Sequence, residues 1–488
     1  MSRTRIFAAL IAAGLATPAV AAPTDAQMKQ MMQRLERLEA RNNELEKEVK
    51  ALKGDNEQIS KGLESERISQ YEPELTSRLK AVENDVLNMK KPAAIAEKLE
   101  GIKVSAALTT LAQKAYNITD TPDGNSQLNY RGDLAIEVPL SPIGDIEQKL
   151  FAHVRVGQGE GLNTAAGRLG AFSVPNAVAF RASGATADDS VAILGEAWYQ
   201  AAIPLPIGGF APYSREKLEV TFGKMDIFGF FDQNTAASDE SMQFMNAVFV
   251  HNPLLDAGGE VGVDANGFQP GFIMSYLNES NKAEAWRLSF GAFGAGDKGS
   301  NYQRSFDGPL LMAQVEKQLK LFGGLNGNYR AYAWTRSDVP TLDGSTTERH
   351  TGVGLSVDQR VGDGVNLFGR YGQLVDGDLP FNQAISVGAE FNGAYWGRGN
   401  DAIGLGYSWL NSSSAFRKGG GSVDTDADGI ADVFYAPSGA ENVAELYYRY
   451  SISPQFQLSP DFQWIGRGGA NPDAENAYLL GIRANIAY

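Results

Sequence analysis

The sequence predicts an all-β chain: a transmembrane antiparallel β-barrel of about 16 strands, preceded by an α-helical coiled coil. Three observations carry this expectation. From Lys103 onward, segments of about ten residues alternate apolar and polar side chains between turn signals, and the chain is rich in glycine and aromatics. The last segment sets Tyr478, Leu480, Ile482, Ala484, Ile486 and Tyr488 against Gly481, Arg483 and Asn485, and ending on an aromatic is characteristic of outer-membrane barrels. Beyond the N-terminus no run of ~18 consecutive apolar residues exists, so a membrane protein built from this chain must close its backbone hydrogen bonds in a barrel.

Taken in order, the chain begins with Arg3 and Arg5, the apolar run IFAALIAAGLA and the small residues TPAVAA, the three regions of a secretory signal over residues 1–22. Ala19-Val20-Ala21 fits the cleavage site, and Pro23 disfavours cutting one residue later. Residues 23–100 form a separate helical region, expected in the periplasm. Within it, Met28, Leu35, Asn42, Val49, Asn56 and Leu63 recur at one heptad position and Met31, Leu38, Leu45, Leu52 and Ile59 at the other. A lone amphipathic helix packed on the barrel fits a sustained 3.5-residue period less well. At 1.5 Å per residue this helix reaches on the order of 60 Å. Pro73 interrupts the repeat, which resumes in a shifted phase at Leu75, Leu79, Val82, Val86 and Met89.

The barrel region is assigned to residues 101–488. Its clearest strand is LNYRGDLAIEVPL, with Leu128, Tyr130, Leu134, Ile136, Val138 and Leu140 on one face and Asn129, Arg131, Asp133 and Glu137 on the other. A soluble sandwich would turn the apolar face to a second sheet; a barrel turns it to lipid and the charges to a wet lumen. With both termini periplasmic, connections after odd strands are extracellular and longer. Long polar connections fall at 157–190, 225–268, 337–349 and 411–442, and short ones at SPIGD, NESNKAE, VGDG and SISPQ. The connection at about 225–268 is then the third extracellular one. It is too rich in phenylalanine and methionine (Phe228, Phe230, Phe231, Phe244, Phe249, Met225, Met242, Met245) to stand in water.

Composition removes several functional classes. Without cysteine and with three scattered histidines, the chain offers no thiol nucleophile, no disulfide and no Cys/His metal site. A net charge of -15 argues against nucleic acid as a partner. No Ser/His/Asp grouping, phosphate loop or paired-acid spacing supports an enzyme, and no cofactor is required.

Two blocks carry a family resemblance. FGKMDIFGFFDQNTAASDESMQFMNAVFVHNP supplies Gly223, Lys224, Asp226, Phe231, Asp232, Asn234, Gln243, Phe244 and Asn246. ELYYRYSISPQFQLSPDFQWIGRGGANPDAENAYLLGIR supplies Glu445, Tyr447, Tyr448, Pro460, Asp461, Gln463, Asn471 and Arg483. In these blocks the chain resembles the carbohydrate-selective porins, the OprB-like family of the Gram-negative outer membrane. The coiled coil is an addition to the family pattern. The resemblance implies a passive diffusion channel for carbohydrates or similar small solutes, a homotrimer in outer-membrane lipid, and a third loop that folds inward to constrict the pore. Two alternatives stay open: a small-ion or nutrient channel of the same family, or a tether whose coiled coil contacts the cell wall.

A sugar pore needs paired hydrogen-bonding side chains and aromatic faces that bind weakly. Alternation places Arg131, Glu137, Arg155, Glu196, Trp198, Glu219, Arg287, Arg330, Tyr332, Trp334, Arg370, Glu390, Glu445, Arg449 and Arg483 inward. These ladders either contact solute or brace the wall, and Trp198, Tyr332 and Trp334 are the stacking candidates unless they sit at a rim. In the third loop Lys224, Asp226, Asp232, Asp239 and Glu240 are constriction candidates, although Asp226 and Asp232 equally suit turn caps. In DTDADGIAD, Asp424, Asp426 and Asp428 precede Gly429, with Asp432 following, the oxygen spacing of a calcium loop. Tyr435 stands where a helix-loop-helix site expects glutamate, so a weak Ca²⁺ site or a solvated acidic turn both fit.

Overall fold

The computed structural model describes Lys47, Lys50 and residues 101–118, 125–162, 171–180, 189–207, 214–256, 268–294, 308–420, 423, 433 and 435–488. Two units divide the chain, Met1–Glu100 and Gly101–Tyr488. The signal segment, the heptad seam and Asp424, Asp426, Asp428 and Asp432 lie outside the described residues. The second unit carries everything that follows.

Sixteen strands make it up: β1 Lys103–Tyr116, β2 Ser126–Ile143, β3 Ile146–Gln158, β4 Val191–Leu205, β5 Glu216–Asp226, β6 Phe268–Asn278, β7 Trp286–Phe293, β8 Leu310–Leu321, β9 Leu325–Pro340, β10 Thr347–Gly362, β11 Val365–Asp376, β12 Phe381–Asn392, β13 Ala402–Ser412, β14 Ala440–Ser451, β15 Phe456–Gly466 and β16 Ala477–Ala487. Each pairs antiparallel with its sequence neighbours, and β16 returns to β1 to close the barrel. The seam is locked where Ala106 N–H donates to the Tyr488 carbonyl at 2.9 Å and Tyr488 N–H donates back at 2.8 Å. The terminal aromatic is therefore part of the closure as well as the end of the apolar face. Among the described residues no helix is long and apolar enough to cross a membrane.

The period-2 pattern sorts the two faces of the wall. Leu128, Leu134, Phe222, Leu288, Phe290, Leu355, Leu405, Leu480 and Ile482 are exposed on the outside. Their alternates Arg131, Thr221, Ser289, Ser356 and Arg483 are buried on the inside. This inverts a soluble protein and gives an apolar exterior for lipid.

The longest connections, after β3, β5, β7 and β13, all lie at one end, with one correction to the sequence reading. The polar run at 337–349 is not a long loop, because β9 extends to Pro340 and β10 starts at Thr347. Its six linking residues satisfy one another: Thr341 N–H donates to the Thr346 carbonyl, and Asp343 accepts from Thr341 Oγ1 and Ser345 N–H. Polarity there reports a self-capped turn. Conversely, β7 ends at Phe293 and β8 begins at Leu310, so a further long connection follows an odd strand.

Candidate functional site

Loop 3, between β5 and β6, enters the barrel. Just before it, Gly223 of β5 has φ +137°, and a Cβ there would lie 2.3 Å from the Ala197 carbonyl oxygen, so only glycine fits there; the strand stays paired with β6 as far as Asp226. Asp226 caps the first turn by accepting from Phe228 N–H at 2.9 Å. The one-turn helix α1, Ala247–Val250, is capped by Asn246, whose side chain accepts from Val248 N–H. Along the loop Phe231, Phe244, Phe249, Leu254 and Leu255 are fully buried, packed with Phe293, Tyr332, Trp334, Phe368 and Tyr447 of the wall. Each such side chain contributes roughly 1.5–3 kcal/mol against exposure.

Charged wall residues satisfy the loop backbone that this burial would otherwise leave unpaired. On β14, Glu445 accepts from the N–H groups of Met245 and Asn246 at 2.5 and 2.9 Å. On β11, Arg370 donates to the carbonyls of Ala237 and Phe249 and to Asp232, and on β16 Arg483 donates to the carbonyls of Glu240 and Gln243. Arg449 on β14 reaches the Met242 carbonyl at 3.1 Å and Glu390 at 3.2 Å.

The central fixture is Asp232. Its φ is +53° and it is fully buried. Its carboxylate accepts from both Tyr332 Oη at 2.8 Å and Asn252 N–H at 2.6 Å, and pairs with Arg370 Nε at 3.1 Å. Because Asp232 and Asn252 belong to opposite limbs of the loop, one carboxylate ties both limbs to β9 and β11.

Loop 2, between β3 and β4, enters as well, which the residue pattern did not suggest. Ala177 N–H donates to the Met245 carbonyl and Ala247 N–H to the Val174 carbonyl, so the two loops pair with each other. Glu441 on β14 holds loop 2 at Phe172 and Ser173 N–H and also accepts from Gly469 N–H.

The covered side of the wall has a recognisable composition. Inward positions there are Gly352, Gly354 and Ser356 on β10, Ser386 and Gly388 on β12, and Gly404, Gly406 and Ser408 on β13. A Cβ at Gly404 would stand 2.1 Å from Tyr447, and one at Gly406 2.8 Å from Phe249. These small inward residues make room both for the wall's own Tyr332, Trp334 and Tyr447 and for loop residues such as Phe249 over Gly406 and Asn252 over Gly372.

The opposite wall, β2 to β8, is left partly exposed inside. Phe151 and Trp198 stack with ring centroids 4.8 Å apart, and Phe230 of loop 3 meets Trp198 edge-on at 5.7 Å. Lys149 lies over the Trp198 ring at 5.4 Å, while Glu196 accepts from the indole N–H at 3.0 Å. Around this platform, acids and bases pair: Glu137 with Lys103 and Lys149 at 2.7 and 2.9 Å, Glu219 with Arg287 at 2.6 Å, Glu316 with Arg330 at 3.3 Å.

The family model for carbohydrate-selective porins, the OprB family, matches residues 130–488. The chain belongs to this family. A high-pH structure of Pseudomonas putida OprB matches with TM-score 0.62 at 18% identity, covering 81% of this chain and 96% of that one, a likeness of fold. The low-pH structure of that protein gives TM-score 0.45 at 14% identity over 81% and 95% of the two chains. An uncharacterized protein of Aquifex aeolicus (strain VF5) is 28% identical over 280 residues, 57% of this chain and 67% of its own length. As an OprB-family porin, the chain is an outer-membrane barrel.

Within this porin the candidate residues fall into two groups. Asp232, Trp334, Arg370, Glu445 and Arg483 are buried, with Asp232, Arg370, Glu445 and Arg483 engaged by loop 3, and Arg330 is buried between Glu316 and Asp358. Asp226 is a cap, and Lys224 donates to the Leu194 carbonyl at 3.0 Å. Trp198, Glu219, Arg287 and Arg449 remain partly exposed. Glu240 pairs with Arg131 at 2.8 Å; burial acts to raise its carboxyl, but Arg131 together with Arg155 and His251 holds it below the ordinary value. Asp239 is exposed, and among the described residues its side chain accepts from Ser241 N–H. Asp239→Asn is accordingly expected to lower any cation preference in reversal-potential measurements. Glu240→Gln should shift it further in the same direction, because it also takes one of the two carboxylates paired with Arg131, leaving Asp133. Equal shifts from both variants would contradict this division.

Proposed function

We propose that the protein is a passive diffusion channel for carbohydrates or comparable neutral small solutes, narrowed by loop 3. The aromatic platform carries this reading, since Phe151 and Trp198 lie on the partly exposed wall, Phe230 of loop 3 meets Trp198 there, and paired charges edge them. A pyranose ring presents C–H faces to an aromatic and hydroxyls to flanking donors and acceptors. Glu137 and Lys149 lie on one flank, Glu219 and Arg287 on the other. Sign alternation leaves little net field, which suits neutral solutes better than a single-sign ion filter.

Planar-bilayer recording tests it. Open channels should be blocked saturably by a sugar and should show only weak ion preference in a salt gradient. A conductance indifferent to every sugar, with strong selectivity for one ion sign, would favour the small-ion alternative.

A further inference from the structure

We infer that the outer wall at the closing seam carries a seat for a phosphorylated lipid of the leaflet on the long-loop side. The inference rests on the barrel lying in a membrane, and not on which solute it passes. On β1 the outward residues are Thr110, Ala112, Lys114 and Tyr116. Register places Ala112 between Ile482 of β16 and Leu128 of β2, and Lys114 between Leu480 and Ser126. The small side chain of Ala112 among these large neighbours leaves an outward-opening hollow of about 550 Å³. Its walls are exposed apolar side chains, Leu128 at 68%, Leu480 at 49% and Ile482 at 46%. The hollow runs along β1 from Lys114 to Ala112, toward the middle of the wall and in the direction of an acyl chain; the next outward residue, Thr110, lies between Ala484 and Tyr130.

Lys114 fixes the other end. It is exposed, and among the described residues its ammonium meets no carboxylate; it stands 5.3 Å over the Tyr116 ring. Tyr116 pairs across the seam with Tyr478, which stacks on Phe462, so an aromatic row borders the lysine at the level expected of a membrane interface. A cation on the lipid face is unfavourable unless it meets an anion, and a lipid phosphate at the interface supplies one. A second outward hollow of about 510 Å³, lined by Ala313, Ala331 and Ala333, offers no comparable free charge among its lining residues. It is ordinary lipid contact.

Native mass spectrometry of the detergent-purified full chain tests the seat, with lipid A and its dephosphorylated form as competing probes. The wild type should retain the phosphorylated form preferentially. Lys114→Ala should reduce that preference about five-fold, the effect of one lysine near a membrane surface. Lys114→Arg should keep it. Ala112→Leu, which fills the hollow, should lower retention of both forms. Conductance should be unchanged in all three variants, since neither residue faces the lumen. An unaltered preference in Lys114→Ala would overturn the proposal. So would an Ala112→Leu variant that changes the oligomeric mass while keeping its lipid, because the hollow would then belong to a second copy of the chain.

Discussion

Asp232→Ala is expected to free loop 3 from the wall and to raise single-channel conductance several-fold. The carboxylate holds Arg370, Tyr332 and Asn252 at once, and neither Asp232 nor the Arg370 side chain touches solvent. Removing it leaves a buried guanidinium without its anion, a loss of roughly 3–5 kcal/mol. The wall can avoid that cost in one way that spares its own ladder hydrogen bonds: loop 3 withdraws and water reaches Arg370. Phe231, Phe244 and Phe249 oppose withdrawal, so the open form should flicker rather than persist. Asp232→Asn preserves shape and loses charge, and should give an intermediate conductance. Protease cleavage within loop 3, compared with wild type, reports release independently of current. A conductance and cleavage pattern unchanged in Asp232→Ala would mean that the aromatic packing alone positions the loop.

Trp198→Ala is expected to weaken saturable sugar block by about two- to ten-fold, in line with the ~0.5–1.5 kcal/mol of an aromatic contact. Phe151 and Phe230 would remain, but Trp198 touches both and carries Lys149 over its face, so its loss breaks the platform at the centre. Trp198→Tyr should retain most of the block. Salt conductance should change little, because the charges near Trp198 stay paired with one another. If Trp198→Ala binds sugar as the wild type does, the solute passes elsewhere in the lumen.

Fold and site differed in how far the residues alone disclosed them. Strand number, the start at Lys103 and the closing aromatic were readable because a wall between lipid and water imposes period 2 on every strand, and Leu128 against Asn129 or Leu480 against Gly481 obeys it locally. Inwardness was readable for the same reason. What each inward side chain meets was not, because that depends on where two loops come to rest. Arg370 and Trp198 both read as inward polar or aromatic residues, yet one lies beneath loop 3 and the other opposite it. Loop 2 escaped notice because Pro175 and Asn176 make their contacts through a carbonyl and an amide that any surface loop could carry. The turn at 341–346 misled because a self-satisfied turn and a solvated loop share the same polar composition.

The way loop 3 is fastened also orders the assembly of the molecule. Its partners are remote in sequence: Glu240 and Arg131 are 109 residues apart, Asn246 and Gln463 217, and Glu240 and Arg483 243. Contacts of such separation form late, since most of the intervening chain must already be in place. Arg483 and Gln463 sit on the last two strands, so the loop cannot be fully docked before β15 and β16 are in place. The loop inside the barrel is thereby fastened by the part of the chain that is made last.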